Sequence, residues 1–436
     1  VNFINCFLRV KIVTRTIRTT VKELGEYVPG HTNTLSLNKI KEFVTIPYHI
    51  EWYKTPGSKK IFPLFLQELS DLNPTPKTIP GLITRNPYFD HAQIKYFIAY
   101  RDRKPVGRIA AFIDYTYTEN GDGKIGWFGL FESEQHTGTA RMLIDSAVEY
   151  LKANSCTKII GPAKFNAGGE IGLLVDGFEN EPYFMEPYNA PYYQDFFVDY
   201  GFKKENDWYS VNIDKIISKS YMEKVDRIFN RILNHRRAER FKDYKIRNVD
   251  FSNLRSEIET IRELYNPIWN EGNHPQQIKM TDAEFDMLAL GLKEISLEEL
   301  IFIVEKDGKP VGISVNIPDI NEVIAEMDGR ANYMPSTRFY SPKDIIRDLK
   351  IFINIKKRLR QKRFSRMRFF ILGVDERHRK TGIDSKLFWS IKEKALELGI
   401  TRGSASQLAD INMDIINPIF KIGKTAMTWR VYGLKV

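Results

Sequence analysis

The chain repeats one phrase at the distance of a whole domain. FIAYRDRKPVGRIAAFID runs from Phe97 to Asp114, and FIVEKDGKPVGISVNIPD from Phe302 to Asp319. Aligned without gaps, the pairs Phe97/Phe302, Ile98/Ile303, Asp102/Asp307, Lys104/Lys309, Pro105/Pro310, Val106/Val311, Gly107/Gly312 and Asp114/Asp319 are identical. A spacing of 205 residues is far longer than the roughly 20–50 of a solenoid repeat. It predicts two copies of one fold in tandem, and 436 residues are enough for two cores.

The pattern of elements around each copy is alike. In the first half, Ile94–Tyr100 and Val106–Ile113 read as a β-hairpin closed by a short turn with Asp and Lys before Pro. Lys124–Phe131 follows as a strand, Thr139–Ala153 as an amphipathic helix, Thr157–Ile160 as a strand and Pro191–Tyr200 as a helix ending at Gly201. In the second half the hairpin is followed by a strand at Met367–Val374, a helix at Ile383–Leu398, a strand at Arg402–Ser406, a helix at Asp410–Ile422 and a closing strand at Thr425–Tyr432. Each half is therefore an α/β layer fold. The expected division is 36–214 and 245–436, joined by a connecting helix at 215–244. The first 35 residues stand outside the fold, as a basic transit-type segment or an overextended reading frame.

Composition narrows the class. Hydrophobic residues at 42% and charged residues at 28% exclude wholesale disorder, and no apolar run reaches a membrane span of roughly 18 residues. Cys6 and Cys156 are the only cysteines, which fits a reducing cytoplasm, and the seven histidines show no metal-ligand spacing, so no metal is expected. The formal charge of +10 is concentrated. KIFINIKKRLRQKRFSRMR, Lys350 to Arg368, holds nine Lys/Arg and no acid. It lies mostly in an insertion of 39 residues that only the second half carries, at about 320–366, and it points either to an anionic partner or to a solvated helix face.

Chemistry is most visible where the strand RFFILGV runs into DERHRKTGIDSKLFW. Amide groups left unpaired at a helix start favour an anion, Gly382 removes the Cβ that would hold a pyrophosphate away, and Arg377, Arg379 and Lys380 add attraction. Val374, Arg377, Arg379, Lys380, Thr381, Gly382 and Ile383 form this candidate loop. With that order of elements, V-x-x-x-x-R-x-x-G-I resembles the acetyl-CoA pyrophosphate loop, [QR]-x-x-G-x-[GA], of the GNAT N-acetyltransferase superfamily. In the first half, QHTGTA places Gln135, Gly138 and Ala140 at the three signature positions. RKPVGRIAAFID, WFGLFE, IIGPAKFNAGGEIGLLVDGF and EPYNAPYY extend the likeness to bacterial tandem-GNAT proteins, over about Leu37 to Leu434. Asp384 departs from the small residue expected last in the signature and adds repulsion toward a bound diphosphate.

The resemblance implies two tandem GNAT-like (acyl-CoA N-acyltransferase) domains, each a mixed, mainly antiparallel sheet flanked by helices. It implies acetyl-CoA as acyl donor and a primary amine as acceptor, either a small molecule or a peptide. The amine must shed a proton against a pKa of about 10.4, so a general base is useful. Glu132, ending WFGLFE, is the best-placed carboxylate, with a solvated strand end as the plainer reading; RFFILGV offers none. The family's usual thiolate-protonating Tyr, four residues before the glycine that ends the helix, is replaced by Phe197 and Ile419. Tyr192 and Tyr193 are the neighbouring hydroxyls. Asn166, Glu170 and Tyr188, in and after the glycine-rich stretch, are candidates for an acceptor pocket, or simply tight turns and packed core. Two other functions fit the same residues: an aminoacyl-tRNA-dependent aminoacyltransferase gripping nucleic acid through Lys350–Arg368, or a non-catalytic binder of CoA or another anion.

Overall fold

The computed structural model describes residues 18–76, 81–117, 123–165, 169–213, 242–269, 274–327, 333–336, 341–379 and 381–436, with Glu223, Asp226, Arg227 and Asn230 as single positions. The repeated phrase is a hairpin in both halves: β3 (Ala92–Arg101) with β4 (Lys104–Asp114), and β10 (Ile301–Lys306) with β11 (Lys309–Pro318). Both turns hold two residues at positive φ, Asp102 and Arg103 (48° and 69°), Asp307 and Gly308 (51° and 73°). That is the turn whose twist suits a two-residue hairpin. The shared Lys-Pro-Val-Gly encodes a bulge. Tyr100 pairs with Pro105 and Ala99 with Gly107, leaving Val106 extra; Glu305/Pro310 and Val304/Gly312 do the same around Val311.

Around the hairpins the first half builds β1 (Thr19–Val28), β2 (Thr32–Asn33), α1 (Leu37–Thr45), α2 (Phe65–Asp71), β5 (Ile125–Ser133), α3 (Thr137–Ala153), β6 (Lys158–Gly161), β7 (Leu173–Asp176), α4 (Tyr193–Tyr200) and β8 (Lys203–Asn212). The second half builds β9 (Tyr244–Asn248), α5 (Leu254–Trp269), α6 (Asp282–Lys293), α7 (Asn321–Glu326), α8 (Pro342–Gln361), β12 (Arg366–Val374), α9 (Ile383–Glu397), β13 (Arg402–Ala409), α10 (Met413–Ile422) and β14 (Lys424–Lys435). Among the described residues the fourteen strands form one sheet of order β2-β1-β3-β4-β5-β6-β14-β8-β13-β12-β11-β10-β9, with β7 also on β14. β5 on β6 and β12 on β13 are parallel, and the remaining pairs are antiparallel. This is the α/β arrangement of mixed, mainly antiparallel sheet and flanking helices expected from the sequence.

The halves exchange strands. The last strand of the chain, β14, lies between β6 and β8 of the first half, and β8 in turn pairs with β13 of the second. Trp429 of β14 is fully buried in the first half's core and donates its indole N–H to Pro187 O at 2.8 Å. Polar ties add to the seam: His91 bridges Asp114 and Glu284, Lys41 meets Asp344 at 3.2 Å, and Gln407 bonds Ile171 through both its amide groups. The segment after β7 reaches across as well, where Phe184 N–H donates to Asp319 and Pro182 O accepts from Asn321.

The N-terminal expectation needs correcting. Thr19–Tyr27 pairs with Ile94–Arg101 of β3, so residues expected outside the fold, from Thr19 on, are part of it; residues 1–17 lie outside the described ones. The bulge at Gly25 breaks the period-two alternation, which hides this strand in the sequence. The expected connecting helix also falls almost wholly outside the described residues, although Asp226 pairs with Lys392 at 2.6 Å. Among the described residues, no helix is long and apolar enough to cross a membrane.

Candidate functional site

Two clefts compare directly, because each half has a pair of parallel strands that part company. In the first half β5 and β6 pair from Ile125↔Lys158 to Trp127↔Ile160 and then diverge. The gap is filled by α4. Tyr193 and Phe197 are fully buried there, against Phe128 and Phe131. The hydroxyl of Tyr193 donates to Glu132 Oε2 at 2.8 Å and accepts from Ser133 N–H, and Tyr192 donates to Ser133 O at 2.9 Å. Tyr53 donates to the same Glu132 oxygen at 2.6 Å, and Lys60 lies 3.9 Å from the other. Glu132, Tyr192 and Tyr193 therefore do meet, in a buried knot. Burial, then the Glu132 charge, holds the Tyr53 and Tyr193 phenols well above their ordinary range, so both stay protonated and their protons are committed to Glu132.

The first half's loop is also occupied by its own side chains. His136 Nδ1 accepts from Thr139 N–H at 3.1 Å, closing the start of α3. Glu134 accepts from Thr139 Oγ1 at 2.8 Å and pairs with Arg101 at 2.7 Å. The Glu134 carboxylate thus faces this helix start. Gln135 and Gly138 are exposed around it, and Ala140 is packed in the core.

In the second half β12 and β13 pair from Arg366↔Arg402 to Phe369↔Ala405 and then separate. Here the gap is a cavity of about 110 Å³. Its apolar wall includes Tyr265, Trp269, Phe370, Phe388, Ile415 and Ile419, and its polar groups include His274, Gln277, Arg368 and Asn412. Past Phe369, β12 keeps β11 on one side, through Ile371, Leu372 and Gly373, while the edge that has parted from β13 faces the cleft. At the head of the cleft Gly382 starts α9 in the left-handed region (φ 94°) with no side-chain cap. The dipole at the start of this 15-residue helix suits an anion, although Ile383 N–H lies 3.5 Å from Thr381 Oγ1 and the next two amides face the Asp384 carboxylate.

Around that start, Arg379 donates its Nε to Val374 O at 3.0 Å, Thr381 Oγ1 donates to His378 O at 2.7 Å, and Ile383 is buried. Arg377 is exposed and engages Asp375 through two bonds, of 2.9 and 3.0 Å, which spends part of its charge. Asp384 sits beside the amides. Burial pushes its carboxyl up, while the N–H groups of Ser385 and Asp384 itself pull it back. Lys380 and Asn166 lie outside the described residues. Glu170 is 3.9 Å from Lys164, and Tyr188 is buried with its hydroxyl on Phe178 O at 2.8 Å; neither lines the cleft, to which the glycine-rich stretch contributes Gly169.

His274 carries no signal in the sequence, being one histidine in the polar segment NHPQQ. In the structure it lines the cleft with Nδ1 buried and without a hydrogen-bond partner, and Nε2 lies 3.4 Å from Asn412 Nδ2. Burial, and then the nearby Arg379 charge, lowers it to about 4, so it is a neutral imidazole near pH 7. Arg368, from the basic run, is buried under the cleft, bonding Ser406 and Phe184 O. A larger polar depression, about 830 Å³, lies at the opposite ends of β12 and β13 beside Glu322, Arg363 and Arg402. Ligands of such sheets sit at the carboxyl ends of parallel strands, where the smaller cleft is.

Residues 62–167 match the model of the acetyltransferase (GNAT) family. It is 28% identical over 402 residues to the bacterial ceramide synthase of Caulobacter vibrioides (strain NA1000 / CB15N), covering 90% of this chain and 94% of that one. It is also 28% identical over 300 residues to Protein YghO of Escherichia coli (strain K12), covering 68% and 70%. A solved tandem GNAT protein from the clavulanic acid biosynthesis pathway superposes with a TM-score of 0.45 at 9% identity, over 96% of this chain and 98% of that one.

Proposed function

We propose that this protein is an N-acyltransferase that moves an acyl group from a CoA thioester to a primary amine, working from the cleft of its second half. The observation that carries this reading is the pairing of an open strand gap with the uncapped helix start at Gly382. In this reading Gly382 and the amides after it would take the diphosphate, with Asp384 turned aside, Arg379 adds charge, and the edge of β12 that has parted from β13 would take the pantetheine amides. When bound, CoA supplies an acyl carbonyl activated as a thioester.

His274 is the proton acceptor in this reading. Its orphaned Nδ1 is neutral at working pH, and the amine nitrogen becomes strongly acidic as its bond to the carbonyl forms, so even a weak base suffices. Arg368 holds β13 through Ser406 and so positions the cleft wall. The sequence resemblance points to an acetyl group. The aromatic and aliphatic wall, together with the name of the Caulobacter relative, supports a longer acyl chain and a long-chain amino alcohol as acceptor.

The test is release of free CoA thiol by the purified chain from acetyl-CoA and palmitoyl-CoA, each with a long-chain amino alcohol, with amide product followed by mass. Faster turnover of the long donor is expected. Amide formed only from acetyl-CoA would restore the shorter donor, and no amide from either would overturn the reading.

A further inference from the structure

The basic run separates into an inner and an outer set once it is folded. Lys356 pairs with Glu294, Arg358 with Glu326, Lys362 with Glu299, and Arg366 with Asp319, Glu322 and Glu181. Lys350, Lys357 and Arg360 remain on the outer face of α8, with no acid in ion-pair distance among the described residues. The helix's own acids, Asp344 and Asp348, point inward, where Asp344 takes Lys41 and Asp348 accepts the Leu66 N–H at 2.7 Å.

The same outer face exposes three large aliphatics. Ile346 is 50% exposed, Leu349 43% and Ile353 63%, at spacings of three and four that put them on one stripe. The opposite stripe, Arg347, Ile351, Ile355 and Leu359, is buried. A helix turned to water carries polar residues on its outer face; one with an aliphatic stripe among unpaired cations has the form of a surface that lies on anionic lipid.

We infer that α8 is a docking face for an anionic phospholipid bilayer, with Ile346, Leu349 and Ile353 entering the headgroup boundary and Lys350, Lys357 and Arg360 meeting the phosphates. Charge complementarity selects the sign of the partner. The aliphatic stripe selects lipid over a nucleic-acid backbone, which offers phosphates and no apolar layer at that face. The inward acids hold the helix against the body, so the face is presented on a fixed support. This inference does not rest on the acyltransfer reading, and its test involves no substrate.

The full chain is mixed with phosphatidylglycerol-containing vesicles, with phosphatidylcholine vesicles and with RNA, at low and at high salt. Binding to the anionic vesicles that weakens with salt is expected. At about 1 kcal/mol per cation near such a surface, Lys350→Gln, Lys357→Gln and Arg360→Gln should each weaken it about fivefold. Ile353→Glu should weaken it at least as much, and all four exposed changes should leave the melting temperature within a degree or two. The inference fails if the wild type ignores anionic vesicles at low salt, or if Ile353→Glu binds them as well as wild type does. Retention on RNA lost with the three Gln changes, without vesicle binding, would assign the cations to a nucleic acid instead.

Discussion

The two clefts of this molecule occupy equivalent places on one sheet, and they differ in what fills them. In the first half α4 sends Tyr193 and Phe197 into the gap, and the helix start is closed by His136 and faced by Glu134. In the second half the residues that stand the same distances before the helix-ending glycine are Ile415 and Ile419, and the helix starts at a glycine with Thr381 and Asp384 beside its first amides. Glu132 in the first half has its counterpart, by strand register, in Gly373, whose Cα faces Trp269 so closely that a Cβ would lie 2.3 Å from the ring. One copy traded its cavity for core. The other kept the cavity and lost the carboxylate and the hydroxyls.

Refilling the open cleft is the most severe way to break this comparison. Ile415→Tyr with Ile419→Phe copies the first half's plug into the second, and turnover and CoA-dependent stabilisation should both be lost while the chain stays folded. Calorimetry with and without CoA checks this. Removing the proton acceptor comes next: His274→Gln should lower kcat about 10²–10³-fold with CoA binding intact, since positioned acid–base groups contribute at that scale. A variant with full activity would return the search to the first half.

The buried knot gives a smaller, opposite contrast. Tyr193→Phe removes a bond to Glu132 and the acceptor for Ser133 N–H, so stability should fall by about 2 kcal/mol with activity changed only a few-fold. Loss of activity without loss of stability would instead make Glu132 and Tyr193 catalytic. The gentlest handle is pH, where two histidines act in opposite senses. His91, raised to about 10 despite its burial by bonds to Asp114 and Glu284, contributes stability that is complete below about pH 6.5 and fades as pH rises toward 10. His274 is depressed, so the unfolded chain binds its proton first and stability falls as pH drops from about 6.5 to 4. Melts across pH should show His91→Gln flattening the alkaline limb and His274→Gln the acid one.

The repeat made the architecture legible, because Lys-Pro-Val-Gly encodes a local bulge and Asp-Arg or Asp-Gly a local turn, both set by neighbouring residues. The loop at Gly382 was legible for the same reason. What long-range pairing decides was not. The central strand β8 begins Lys-Lys-Glu-Asn-Asp and reads as a charged connection, yet β14 on one side and β13 on the other make it the seam of the molecule. The closing strand was visible, but not that it closes the other half. His274 reaches the cleft from a loop distant in sequence from both strands, with no pattern to mark it. The basic run likewise looked uniform until folding turned half of it inward.

The central claim is that the second half, and not the first, offers its helix start to CoA. Thermal melts with CoA at about 100 times its dissociation constant should show about 2.7 kcal/mol of added stability in the wild type. Gly138→Glu should keep that gain, and Gly382→Glu, compared with its own unliganded melt, should lose it. The reverse pattern, or no gain in the wild type, would contradict the account.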